Sequence, residues 1–302
     1  MAKVIVLVGV PASGKSTYAE KILAAQNPVG RHADFRVRIR GLHTVCISYD
    51  KIFDELSANN GNSKPDASKV LNAYYYRMRI ALEEGKKVVM DGPNLKRKHR
   101  RRIFENIPDG TLVEAHVVWA PLVLTLTRDS HRPDSVGNEA IIKAVKKFEP
   151  PWYDEGFVAI KLYCAQFARD QYINATLFGM EIPHHNSHHR LSVRAHCSEC
   201  YKIAVQREMP EEVLTAALLH DVGKPLTKKM KPGQTEAHYY DHDNAGAWIS
   251  YGFMEDPNMA IRVAWLVGNH MQPYFDSEYY RSLNAHDKQL LDMLHECDEA
   301  AH

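Results

Sequence analysis

Residues 9–17 of this 302-residue chain read Gly-Val-Pro-Ala-Ser-Gly-Lys-Ser-Thr, directly after an apolar run at residues 4–8. Glycines at this spacing let successive backbone amides turn inward around phosphate oxygens, and a helix starting at the lysine presents its positive end to the same anion. Lys15 would reach the β and γ phosphates of ATP or another nucleoside triphosphate. Ser16 would place its hydroxyl on Mg2+, and Thr17 would support the helix start. Gly9, Ala12, Ser13 and Gly14 supply the surrounding backbone. The expectation is a nucleotide site suited to phosphoryl transfer.

A second group of chemically able residues lies in the other half. His220 and Asp221 end an apolar stretch in the phrase Leu-Leu-His-Asp-Val-Gly-Lys; His196 precedes them, and His242, His270 and Asp298 follow. Imidazole and carboxylate donors suit divalent transition metals such as Mn, Ni, Co, Fe or Zn, and an aspartate can bridge two ions so that a trapped water ionises near neutral pH. A hydrolytic centre with one or two ions is the expectation. His184, His185, His188 and His189 form a histidine-rich stretch that fits a phosphate-contacting rim, a layer behind the metal ligands, or an exposed loop. Cys197 and Cys200 lack a second cysteine pair and read as helix-face residues rather than a zinc knuckle.

Acidic and basic residues refine the first site. Asp50 follows the β-rich run 44–48 and Asp91 follows 87–90, and substrates of parallel α/β sheets bind beyond the carboxyl ends of the strands. Either carboxylate could orient an acceptor hydroxyl or the metal, Asp50 being favoured as the base; capping the following helix is the plainer use of each. Arg128 and Arg132 are four apart, so a helix continuing through both would put them on one face, as a phosphate-holding lid or a solvated basic surface. Residues 96–102 carry six Lys or Arg in seven positions, a run that grips a nucleic-acid backbone or is simply solvated.

The elements that must position these groups change character along the chain. Strand-like runs at 4–8, 44–48, 87–90, 112–119 and 157–163 alternate with helical stretches, implying a parallel sheet flanked by helices. After that, 193–206, 211–220, 258–269 and 287–301 read as helices, so domains at 1–168 and 169–302 are expected. With 45% hydrophobic and 25% charged residues, a net charge of +1 and no apolar run long enough to span a bilayer, the composition suggests a soluble, cytoplasmic protein without a membrane partner. Five sparse cysteines suggest reduced thiols.

The loop at 9–17, the Ile-Ser-Tyr-Asp phrase ending at Asp50, the phrase at 91–95 and the Arg128/Arg132 pair resemble the polynucleotide 5′-hydroxyl kinase family over roughly residues 1–165. That resemblance implies ATP and metal binding by Lys15 and Ser16, with Asp91 and Asn94 among the nucleotide-contacting residues. It also implies activation of a 5′ hydroxyl by Asp50 and phosphate holding by Arg128 and Arg132. Phe53 stands where the family has an acceptor-gripping arginine, with Arg36, Arg38 and Arg40 as candidate substitutes. His196, His220, Asp221 and Asp298 resemble the metal ligands of the HD phosphohydrolase superfamily over roughly 175–302, His242 and His270 its two-metal members, and Lys224 a phosphate-contacting lysine there. Asp292 is the competing position for the last ligand.

Together these imply an α/β P-loop kinase domain followed by an all-α HD domain, an end-healing enzyme acting on RNA or DNA ends ahead of a ligase. A nucleoside or small-molecule kinase fused to a nucleotidase, and an ATP-gated binding protein with a vestigial second site, are the alternatives.

Overall fold

The computed structural model describes residues 2–26, 43–59, 61, 63–185, 191–233 and 236–301. Arg36, Arg38, Arg40, His188 and His189 lie outside the described residues.

The first half alternates as its sequence pattern requires: β1 (Lys3–Val8), α1 (Lys15–Gln26), β2 (Thr44–Ser48), α2 (Tyr49–Asn59), α3 (Ala67–Glu83), β3 (Lys87–Asp91), α4 (Arg97–Phe104), β4 (Leu112–Trp119), α5 (Leu122–Ser130), α6 (Asn138–Val145) and β5 (Ala159–Cys164). The strands form one sheet in the order β2-β3-β1-β4-β5, with parallel register from β2 through β4. Central β1 is a continuous apolar run whose Val4, Val6, Leu7 and Val8 are fully buried, as a strand covered on both faces must be. Ser48 and Asp91 are register partners, so Asp50 and Asp91 both sit at the carboxyl edge of the sheet beside the loop that leaves β1.

The second half is helical: α7 (Arg169–Gly179), α8 (Val193–Gln206), α9 (Glu211–Leu219), α10 (Lys224–Thr227), α11 (His242–Ser250), α12 (Pro257–Asn269), α13 (Gln272–Phe275), α14 (Glu278–Ser282) and α15 (Ala285–Ala300). A two-residue antiparallel hairpin, β6 (Lys229–Met230) with β7 (Ala237–His238), interrupts what the sequence suggested was purely helical. The start of α8 is fixed by Ser192, whose side chain accepts from the Ala195 amide, and α12 by Asp256, which accepts from the amides of Asn258 and Met259 just beyond Pro257. No described helix is long and apolar enough to cross a membrane.

Two compact units emerge, and they are not two contiguous stretches. One comprises Met1–Gly9, Ser13–Val118 and Pro151–Tyr163; the other comprises Val10–Ala12, Trp119–Pro150 and Cys164–His302, so α5 and α6 group with the helices that follow residue 164. In this second unit the Trp119 indole donates to the Trp248 carbonyl at 2.7 Å, and Phe148 packs edge-on against Trp248 and Tyr251.

In the sheet unit, His116 on β4 is 4% exposed; its Nε2–H donates to Glu114 at 3.0 Å, and its Nδ1 accepts from the Tyr18 hydroxyl at 3.0 Å. Burial outweighs the Glu114 charge and pushes the imidazole down to about 4. An unfolded chain would protonate this histidine below its ordinary value of 6.5 while the folded one would not, so stability should fall as pH drops from 6.5 towards 4. Urea titrations at pH 7 and pH 5 should show the wild type losing about 2 kcal/mol more on acidification than His116→Asn.

Candidate active sites

The loop after β1 takes the conformation phosphate binding needs. Ala12 sits at φ 59° and Gly14 at φ 106°, both left-handed, which turns neighbouring amides toward a common point. Gly9 is required for space: a Cβ there would meet the Val118 carbonyl oxygen at 2.5 Å. Lys15 Nζ folds back onto the Gly9 carbonyl at 2.9 Å, spanning the loop.

Ser16 Oγ donates to Asp91 Oδ2 at 3.2 Å. A hydroxyl and a carboxylate meeting at a phosphate loop are a pair that could hold Mg2+ beside the β and γ phosphates, while Asp50 is exposed. Asn94 is buried and spends its amide hydrogens on the carbonyls of Leu7 and Met90, tying the ends of β1 and β3 together. It acts as a latch under the site.

Two basic features differ from their sequence reading. α5 stops at Ser130, so Arg132 is not on the same helical face as Arg128. The cause is Asp129, 1% exposed, whose carboxylate takes the Ser135 hydroxyl and the amides of Val136 and Gly137 and so turns the chain out of the helix. Arg132 then pairs with Asp134 at 2.7 Å. The run at 96–102 is largely spoken for within the protein: Arg97 pairs with both oxygens of Asp154, and Arg101 lies 3.2 Å from Glu105. Arg100 is fully buried, gripping Glu155 through two bonds of 2.8 and 2.7 Å and donating to the carbonyls of Asn94 and Leu95.

This is an internal strut, and only Lys98, Arg101 and Arg102 of the run are exposed. Arg100→Ala would strand a buried Glu155 carboxylate and should cost about 3–5 kcal/mol, read as a drop in the urea midpoint, whereas Arg102→Ala should cost next to nothing.

In the second unit the predicted ligands converge. His196 comes from the first turn of α8, His220 and Asp221 from the end of α9, His242 from the start of α11, His270 from the end of α12 and Asp298 from the last turn of α15. Glycines bring these turns together. A Cβ on Gly223 would lie 2.0 Å from the His242 carbonyl oxygen and 2.6 Å from the Gly246 amide, so the His-Asp turn can rest on α11 only because residue 223 has no side chain.

Nε2 of His196 lies 2.8 Å from Asp298 Oδ1 and 3.2 Å from Nε2 of His220, which is itself 3.5 Å from Asp221 Oδ2. On the other side, Nε2 of His242 and His270 are 3.2 Å apart, and His242 is 3.3 Å from Asp221 Oδ1. Ligand atoms about 3.0–3.4 Å apart are what bonds of roughly 2.0–2.2 Å to one ion produce. His220, His242 and His270 each give Nδ1–H to a backbone carbonyl three residues back, those of Ala217, Tyr239 and Val267, at 2.7–2.9 Å. Pinned this way, each ring turns Nε2 toward the other ligand atoms and, when neutral, offers an acceptor there, an arrangement suited to a cation among them.

The residues therefore fit two ions, one on each oxygen of Asp221. Cys197 also approaches His220, at 3.9 Å, but through the Nδ1 already committed to a carbonyl.

Comparison with known proteins agrees with this division. A family model described as an AAA domain matches residues 4–151, and one described as an HD domain matches residues 186–296. The chain thus joins a phosphate-loop α/β domain that matches the AAA model to a helical domain that matches the HD model. No curated protein matches it significantly. Among solved structures, a gluconokinase from Sinorhizobium meliloti 1021 is 19% identical with a TM-score of 0.37, covering 55% of this chain and 84% of its own. A sugar kinase from Janibacter sp. HTCC2649 is 18% identical with a TM-score of 0.38, covering 59% of this chain and 94% of its own.

In the HD domain, burial alone would raise the carboxyls of Asp221 and Asp298. Lys224 and His220 beside Asp221, and His220 and His196 beside Asp298, outweigh it and hold both below the usual carboxylate range. Burial, helped by His242 and His220, pushes His270 down to about 3. His220 goes the other way: burial lowers it, but Cys197, Asp221 and Asp298 around it raise it well above its ordinary value, so an ion bound there would displace its proton. Ionised carboxylates and neutral imidazole are the ligand forms metals need. Lys224 Nζ sits 2.5 Å from Asp221 Oδ2 and, with Asp221, His242, His270, Tyr274 and Asp298, lines a cleft of about 890 Å3.

Asp298 holds the final ligand position, while Asp292 accepts from the Tyr280 hydroxyl. Tyr274 was not read from the sequence, yet its hydroxyl donates to Asp298 Oδ2 at 2.8 Å. Its place four residues after His270 was the available signal. His184 is buried, not a rim residue. All five cysteines are free, and burial pushes Cys200 up to about 12, keeping it a packed thiol.

Proposed function

We propose that the chain is a two-site enzyme of nucleic-acid ends: the kinase-like domain phosphorylates a 5′ hydroxyl from ATP, and the HD domain hydrolyses a 2′,3′-cyclic phosphate or 3′ phosphate. The observation carrying the hydrolytic half is the carboxylate of Asp221, with one oxygen on the His196–His220–Asp298 set and the other on the His242–His270 set, at the wall of an open cleft. Divalent ions held there would supply Lewis acidity toward phosphate and a water that ionises near neutral pH. Lys224 would neutralise a phosphate oxygen and the Tyr274 hydroxyl would orient Asp298.

In the kinase half, Lys15 and the loop amides would bind the triphosphate, Ser16 and Asp91 the magnesium, and Asp50 would accept the hydroxyl proton late, since phosphoryl transfer depends mostly on alignment and charge neutralisation. Arg128 and Arg132 are proposed to contact phosphate, and the products would be ends that a ligase can join.

Product analysis of an RNA carrying 5′-hydroxyl and 2′,3′-cyclic phosphate ends, with and without ATP, tests the pair. Lys15→Ala should abolish 5′ labelling and leave ring opening intact; labelling of mononucleosides or sugars alone would overturn the polynucleotide reading. The ion pairs along α4 favour a second reading, a small-molecule kinase joined to a nucleotidase, because they remove Arg97 and Arg100 from any backbone grip. Neutralising exposed Lys98 and Arg102 separates the two: a polynucleotide enzyme loses affinity and salt dependence, and a small-molecule enzyme does not.

A further inference from the structure

His184 lies between α7 and α8, outside the six ligands that sequence reasoning assembled, and is only 1% exposed. Its Nδ1 is 2.9 Å from the Leu191 carbonyl oxygen. A carbonyl only accepts, so Nδ1 carries the hydrogen and the Nε2 of the neutral ring is an acceptor. That Nε2 points at Asp221 Oδ2 from 3.6 Å, and the ring meets His196 edge-on with centroids 5.6 Å apart. An acceptor nitrogen facing a carboxylate oxygen calls for a proton or a metal ion between them. His220, His242 and His270 are built the same way, with Nδ1 tied to a carbonyl and Nε2 turned inward.

We propose that His184 is a further protein ligand to the ion on the Oδ2 side of Asp221. This rests on the two-ion reading of the HD domain given above. That ion would then be held by His184, His196, His220, Asp221 and Asp298, and the ion on the Oδ1 side by Asp221, His242 and His270. The cleft fits this asymmetry: its walls include both imidazoles of the outer set, His242 and His270, whereas of the inner set only the carboxylates of Asp221 and Asp298 reach it, and none of His184, His196 and His220. The inner ion is enclosed by protein and tightly held. The outer ion keeps positions open to the cleft, where a phosphate ester and the attacking water bind. His184 thereby divides the pair into a resident ion and an exchangeable one.

The competing role for His184 is positional, a protonated ring paired with Asp221 and touching no metal. Titrating the metal-free full chain with Co2+, followed by visible absorption and by metal content after dialysis, separates the two. The wild type should show a tight and a weaker class of ion. His184→Ala should weaken the tight class at least 10- to 100-fold, the range that even an outer-shell partner commands, and alter its absorption spectrum while sparing the weaker class. Unchanged affinities and spectrum would overturn the proposal.

Should His184→Ala not fold, the wild type decides. In zinc-loaded chain with 15N-labelled histidine, the His184 Nε2 resonance, assigned with His184→Gln, should join the metal-shifted set, and an imidazolium resonance there would sink the idea. A chain that binds no metal at all would bring down the two-ion reading itself; two ions indifferent to His184 would bring down this inference alone.

Discussion

Asp221→Ala is expected to weaken the hold on both ions of the HD domain at once and to abolish the hydrolysis proposed for it, while the phosphorylation proposed for the other domain persists. The reason is topological. Asp221 offers Oδ2 to His184, His196 and His220 and Oδ1 to His242 and His270, so both ligand sets lose a shared member with it. The damage extends to the charge balance, because Lys224 at 2.5 Å would face a cluster of imidazoles with its counter-ion gone. Activity should fall by well over the ~100-fold associated with disturbing an outer-shell partner. His242→Ala, which touches only the Oδ1 side, should leave an ion on the Oδ2 side. Metal titration and analysis after dialysis check this directly: wild-type affinity for either ion in Asp221→Ala would refute the bridging role.

Gly223→Ala should do nearly as much harm with a single methyl group that touches no metal ligand side chain. Its φ of −80° is ordinary for alanine, so backbone strain is not the cause. The added carbon would sit 2.0 Å from one backbone atom and 2.6 Å from another on α11, and neither can swing aside as a side-chain tip could. The His-Asp turn must then lift away from α11, taking Asp221 from His242. The expected result is loss of the Oδ1-side ion, with a stability cost in the ~1–3 kcal/mol range of an overpacked core. Gly179→Ala, at a position with open space around it and no left-handed backbone, serves as the control for a general glycine effect. Wild-type metal content in Gly223→Ala would show that the contact between the turns is dispensable.

What could be read from the sequence depended on how far apart the cooperating residues lie. The phosphate loop is local: strand, glycines, lysine and helix start follow one another, so residues 9–17 carried their own geometry. The helix-borne metal ligands were legible for a related reason, since an apolar helix ending in His-Asp has a defined inward face. The same helical geometry settles Asp298 against Asp292. Residues six apart are roughly 240° apart around a helix, so only one could face His196.

The failures are tertiary. The partners that consume the charges of Arg97 and Arg100 are Asp154 and Glu155, 57 and 55 residues away, and nothing within 96–102 announces them. Arg132 left its helix because Asp129 satisfied a turn that a periodicity argument does not see. His184 looked like part of a polar stretch, and its burial depends on Leu191, Asp221 and His196 being brought around it.

The way the chain is shared between its two compact units bears on how such a protein can be taken apart. Because Trp119–Pro150 groups with the helices after residue 164, a fragment ending at 168 would carry Trp119 and Phe148 without Trp248 and Tyr251, the aromatic surfaces that cover them. Such a piece would present bare indole and phenyl rings to water and invite aggregation. The complementary piece would lack the same wall. Neither half is a bead on a string, and any dissection of the two chemistries is better done by substitution within the intact polypeptide than by cutting it.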